Sequence, residues 1–104
     1  MALMQITIIP LGTATPSVGE YVADVERHLL ASGIDHQLQD MGTLVHGEPE
    51  VLFRLAAEIH NLAFGKGVQR VVTHITLDDR RDVQQGLGDK QKAVRQRLAR
   101  QEGA

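Results

Sequence analysis

The chain contains no cysteine and no tryptophan, and its only aromatic residues are one tyrosine and two phenylalanines in 104 residues. Without cysteine, disulfides and thiolate metal centres are excluded, and the redox compartment stays open. Tyr21, Phe53 and Phe64 all fall in segments of helical periodicity. The chain therefore offers no row of exposed rings for stacking nucleic-acid bases, and no nucleic-acid partner is expected. No apolar run approaches the roughly 18 residues that would span a bilayer, so no membrane partner is expected either. The N-terminal stretch MALMQITIIPLG is apolar, but it has no basic leader and alternates like a strand. It is read as part of the fold rather than as a signal peptide, which makes a cytoplasmic protein the expectation.

What is present is an ordinary globular composition, 42% apolar and 23% charged, with the charge unevenly spread. Residues 1–79 hold four basic and ten acidic side chains, a net of −6, whereas residues 80–104 hold seven basic and three acidic, a net of +4. Such a basic tail can touch phosphates or dock on an oppositely charged neighbouring subunit. The length fits one domain over 1–104, with a core at about 3–79 and a basic extension at about 80–104.

The stretch IDHQLQDMGTLVHG, Ile34 to Gly47, organises the rest. Two short runs meet there at Met41-Gly42-Thr43, which predicts a β-hairpin with strands near 34–40 and 43–47. Before it, Met4, Ile6 and Ile8 alternate with Gln5 and Thr7, a half-buried strand closed by Pro10 and Gly12. Ser17 with Glu20 three residues on has capping-box spacing, and Val18, Val22, Val25 and Leu29 predict a helix over 18–31, stopped near Gly33. After the hairpin, Pro49 opens a second helix with a stripe of Leu52, Leu55, Ala56, Ile59 and Leu62, ended by Gly65 and Gly67. Arg70 to Asp78 is a fourth strand with Val71, Ile75 and Leu77 on one side and His74 and Thr76 on the other. The order β-α-β-β-α-β is that of an α+β, ferredoxin-like sandwich, a four-stranded antiparallel sheet with two helices on one face. A C-terminal helix over about 89–101 follows, with only Val94 and Leu98 in its stripe, so it needs a partner surface.

By alternation the uncovered face carries Gln5, Thr7, His74 and Thr76, with Gln37 and Gln39 from the hairpin. A merely solvated face would carry more lysine and glutamate. Neutral hydrogen-bonding groups suit burial against a second sheet, or a polar uncharged ligand held between subunits.

Other motifs carry less. His36, His46 and His74 lie on strands and meet only if the hairpin packs beside the last strand, and no carboxylate stands at ligand spacing, so no metal site is expected. Gly65-Lys66-Gly67 follows a helix and precedes a strand, the reverse of a phosphate loop, and reads as a helix end. Asp78-Asp79-Arg80-Arg81-Asp82 reads as an ion-pair network at a turn or subunit boundary. No catalytic group is assigned, although His74 could act as a base in a small dimeric enzyme.

Taken together, IIPLGT, SVGEYV, MGTLVHG and RVVTHITLDDRRD are similar to segments of the MTH1187/YkoF-like thiamine-binding proteins, long listed as an uncharacterised family. The resemblance runs over about residues 3–98. It implies a ferredoxin-like fold assembled as a homodimer or tetramer that binds thiamine or its hydroxymethylpyrimidine moiety, with no established catalysis and no cofactor. The family's hairpin usually has proline where Asp40 stands and glutamate where His46 stands, while Met41, Gly42, Thr43 and Gly47 match. Histidine can supply a hydrogen bond there but no anionic field at neutral pH, and Asp40 could restore the charge. The implied pocket lies by the uncovered face at a subunit boundary. Thr43 and His46 would make its hydrogen bonds, Thr7 and His74 its lining and Met41 an apolar contact, with Ser17 and Thr13 contributing from the loop before the first helix. A structural or regulatory oligomer with no ligand is the alternative.

Overall fold

β1 (Ala2–Leu11) is a ten-residue strand with apolar side chains on both sides, and it takes a central place in the sheet. The computed structural model describes residues 1–102. After β1 come α1 (Gly19–Ser32), the hairpin strands β2 (Asp35–Gln39) and β3 (Gly42–Gly47), α2 (Pro49–Leu62) with a short 3-10 turn, β4 (Arg70–Asp78) and α3 (Asp89–Glu102). The strands lie in the order β2-β3-β1-β4, every neighbouring pair antiparallel. This is the ferredoxin-like arrangement expected from the sequence.

The core lies between one face of the sheet and the two helices. Met4, Ile6, Ile8 and Val45 of the sheet meet Val25 and Leu29 of α1 and Leu52, Leu55, Ala56 and Ile59 of α2. A side chain of this kind, fully buried, stabilises the fold by about 1.5–3 kcal/mol relative to exposure. Gly33 ends α1 in the left-handed region, at φ 71°, and its N–H bonds the Leu30 carbonyl.

Two local expectations change. Ser17 does not cap α1: the cap position is Val18, whose carbonyl receives the N–H groups of Tyr21 and Val22, and no side chain caps the helix. Ser17 sits one residue too early, its own N–H donating to Thr15 Oγ1 at 3.2 Å. The hairpin loop is Asp40-Met41, with Gln39 paired to Gly42, so β3 begins one residue earlier than the pattern predicted.

α3 makes little of the core. Its side chains from Asp89 to Gln101 are exposed, including Val94 and Leu98, about half of whose surface is open. It lengthens the molecule to 57 Å and raises the radius of gyration to 16.3 Å, against about 13 Å for a compact chain of this size. Lys90 anchors its start through Asp78 at 3.2 Å.

Candidate functional site

Directly paired residues share a face, so the register sorts the expected site residues. Thr43 pairs with Ile6 and Leu38, and Val45 with Met4 and His36; these side chains face the helices. Gly42, Leu44 and His46 face the other way, beside Gln5 and Leu3. Thr43 and His46 therefore lie on opposite faces, which corrects the expectation of one pocket on the uncovered face holding both. Their spacing of three positions decides it, since a strand turns its side chains over at every residue.

On the helix side a cavity of about 160 Å³ opens at the hairpin end of the sheet. Its walls are the cap residue Val18 with Val22 and Val25 of α1 on one side and Leu38 to Thr43 of the hairpin on the other. Ile6 and Ile8 of β1 and Ile59 of α2 form the floor. Thr43 is 4% exposed. The hydroxyls of Thr7, Thr13 and Thr73 all have protein partners. Two expected residues, Thr43 and Met41, are thus brought together here with Asp40, while Thr7 lines the cavity's edge with its hydroxyl turned to the uncovered face, where a Cβ on Gly42 would meet it. Met41 itself is 86% exposed, at the rim.

The remaining expected residues lie elsewhere. His74 pairs with Thr7 on the uncovered face and is exposed. His46 is on the same face, and its Nε2 is buried without a partner while Nδ1 stands 3.4 Å from Asp35. Thr13 and Ser17 lie in the loop before α1, where the Thr13 hydroxyl donates to the Thr15 carbonyl at 2.7 Å. The strand histidines do not converge, because β1 separates β3 from β4. Among the described residues no cluster of three His, Cys, Asp or Glu side chains is placed to hold a metal ion.

The uncovered face also differs from the one drawn by alternation. Beside the expected glutamines and threonines it carries aliphatic Leu3, Ile9, Leu11, Leu44 and Val72, and charged Asp35, Arg70 and Asp78 near the strand ends. A groove of about 300 Å³ runs between Leu3, Gln5, Leu44 and Thr76 of this face and the segment Gln85 to Gln91.

Sequence reasoning missed how the histidines are used. His28 of α1 meets Glu58 of α2 at 3.1 Å, and His60 of α2 meets Thr73 of β4 at 2.7 Å. His36 of β2 reaches the Ile34 carbonyl at 2.8 Å and Glu26 of α1 at 3.0 Å. Those acceptors, the carbonyl first, raise its pKa above the ordinary 6.5 against the opposing effect of burial. The contacts between side chains join residues ten or more positions apart, and no periodicity announces them. In the Asp78–Asp82 segment the expected ion pairs are present, Arg80 with Asp82 and Arg81 with Asp79. The hydrogen bond from Arg81 holds the Asp79 carboxyl below the usual carboxylate range.

Comparison with known proteins places the chain. The model of a family described as thiamine-binding protein matches residues 4–95. The chain belongs to that family. It is 47% identical over 102 residues to the UPF0045 protein YqgV of Bacillus subtilis, an alignment covering 94% of this chain and 98% of that one. A UPF0045 protein of Staphylococcus xylosus is 43% identical, with 94% and 95% covered. The crystal structure of hypothetical protein MJ1052 from Methanocaldococcus jannaschii superposes with a TM-score of 0.79 at 27% identity, over 89% of this chain and 94% of that chain. No helix among the described residues of this family member is long and apolar enough to cross a membrane.

Proposed function

We propose that the protein is a non-enzymatic, cytoplasmic binding protein, a carrier or sensor, for thiamine or its hydroxymethylpyrimidine moiety. The ligand would enter the cavity between α1 and the hairpin. The observation that carries this reading is the apolar cavity itself, with Thr43, 4% exposed as a residue, contributing a hydroxyl-bearing side chain to its wall. A small number of polar groups in an otherwise apolar wall orients a ligand and gives it specificity. Val18, Val22, Ile6 and Leu38 offer apolar contact to the two faces of a flat ring. The Asp40 carboxylate at the rim suits the amino group of a pyrimidine or the positive charge of a thiazolium. The match to a family described as thiamine-binding supports the same ligand class.

The test is calorimetric titration of the purified protein with thiamine and with hydroxymethylpyrimidine. Saturable binding at a fixed ratio per subunit is expected, weakened about tenfold in Thr43→Val, the loss of one hydrogen bond to a buried group. Unchanged affinity in Thr43→Val would remove the cavity from consideration.

A second reading places the ligand on the uncovered face, in the groove between Leu3, Gln5, Leu44 and Thr76 and the segment Gln85 to Gln91, with His46 paired beside Leu3. The buried, unpartnered Nε2 of His46 favours it. Loss of binding in His46→Ala with none in Thr43→Val would select this second site. In either case we expect a second copy of the chain to cover the uncovered face, since Leu3, Leu44, Ile9 and Val72 leave aliphatic surface there and the basic α3 has an acidic body as its complement. Light scattering on the purified protein, read as a dimer or tetramer mass, checks that assembly.

A further inference from the structure

We propose that the Glu26–His36 pair is a strut that sets the width of the cavity between α1 and the hairpin, and that loss of the His36 proton loosens it. The inference rests on that cavity being the binding site. The two walls belong to different elements, α1 with its cap supplying Val18, Val22 and Val25, and β2 with its turn supplying Leu38, Gln39 and Asp40. Glu26 follows Val25 directly on the first wall, and His36 precedes Leu38 by two positions on the second, on the same face of the strand. The contact between Glu26 Oε1 and His36 Nε2, at 3.0 Å, therefore bridges the walls beside the cavity.

The chemistry of the two contacts decides the protonation state. Nδ1 faces the Ile34 carbonyl at 2.8 Å and Nε2 faces a carboxylate oxygen at 3.0 Å. Both are acceptors, and a neutral imidazole has only one N–H to give. Only the imidazolium satisfies both. When it loses a proton, one contact becomes two facing lone pairs, and the charge attraction across the α1–β2 gap disappears. The second oxygen of Glu26 is already buried with no partner. With a neutral His36 that carboxylate loses its counter-charge, and its side chain, already 29% exposed, turns to water and releases α1 from β2.

The other charged groups around His36 act in the same direction. Asp35 on β2 also favours the imidazolium, and on β3 the paired neighbour is Val45, which is apolar. Asp35 turns to the opposite face of the strand, where it stands 3.4 Å from His46. The His36 side chain is 10% exposed, so water does little to replace the lost contacts.

Thiamine titrations of wild type, His36→Gln and Glu26→Gln at about pH 5.5 and about pH 8.5 test this, with an expected weakening in wild type of about threefold to tenfold relative to His36→Gln. Taking that ratio removes the ligand's own titration. The ring of His36, followed by NMR, should titrate above its ordinary value in wild type and lower than that in Glu26→Gln, where the Ile34 carbonyl still acts. Amide exchange of β2 should accelerate with pH beyond the intrinsic rate in wild type only. Parallel pH profiles for wild type and His36→Gln, in both binding and β2 exchange, would overturn the strut while leaving the cavity reading intact. If wild type binds no thiamine at either pH, the cavity reading fails alone, and β2 exchange still decides whether the pair holds α1 to the hairpin.

Discussion

The hydroxyl of Thr7 donates to the carbonyl of Met41 at 3.0 Å, joining the middle of β1 to the hairpin turn 34 residues later. Gly42 makes room for that bond. A Cβ at Gly42 would lie 2.8 Å from the Thr7 hydroxyl and 3.3 Å from the Gln5 amide nitrogen. Thr7 cannot swing aside without giving up Met41. Gly42→Ala is therefore expected to destabilise by about 1–3 kcal/mol, as overpacking does. In a Thr7→Ala background the same change should cost much less, and a double-mutant cycle by urea unfolding reads the difference.

Gly33 predicts a second backbone effect of a different kind. At φ 71° with open space around it, the position is strained by any Cβ although nothing is struck. Gly33→Ala should cost about 1 kcal/mol, visible as a lower melting temperature, and Gly33→Asn less, because asparagine tolerates this region better.

The stability of the protein should depend on pH through His36. Its folded pKa is raised above the ordinary 6.5 by the Ile34 carbonyl and the Glu26 carboxylate. A raised histidine stabilises fully below the unfolded pKa, and that contribution is lost as pH rises through the folded one. Urea midpoints should therefore fall with pH above about 6.5 in wild type. The fall should be shallower in His36→Gln.

Leu52 and Leu98 should respond in opposite ways. Leu52 is fully buried between α2 and the sheet, so Leu52→Ala should cost about 2–5 kcal/mol in unfolding experiments. Leu98 is 53% exposed on α3, and Leu98→Ala should leave the unfolding of the isolated chain within about 0.5 kcal/mol. A lower assembly mass in the second variant would locate α3 in the subunit contact.

How much could be read beforehand follows from what each signal reports. Period-2 and period-3.6 patterns report which side of an element is buried, so Met4, Ile6 and Ile8 and the stripe Leu52 to Ile59 were legible, and with them the order of elements. The capping box failed at Ser17 because the spacing to Glu20 does not reveal that Thr15 already holds the Ser17 N–H. The faces of the hairpin required its register. Thr43 and His46 look like neighbours in MGTLVHG, yet the pleat sends one to the helices and the other away. β1 alternates over Met4-Gln5-Ile6-Thr7, but its run Ile8-Ile9 places aliphatic groups on both faces, so the second face is less polar than alternation predicts. The Glu26–His36 contact crosses between elements and has no sequence signature at all.

The brevity of the hairpin loop has a consequence for redesign. Asp40 and Met41 are the whole connection, and they also form part of the cavity rim. One inserted residue would slip β2 against β3 and turn His36, Leu38 and Asp35 over together. Loop grafting, the usual route to a new specificity, is closed at this position. If the cavity is the binding site, a changed ligand preference is reached more readily by point substitution at Asp40, Met41 and Thr43 than by altering the length of this frame.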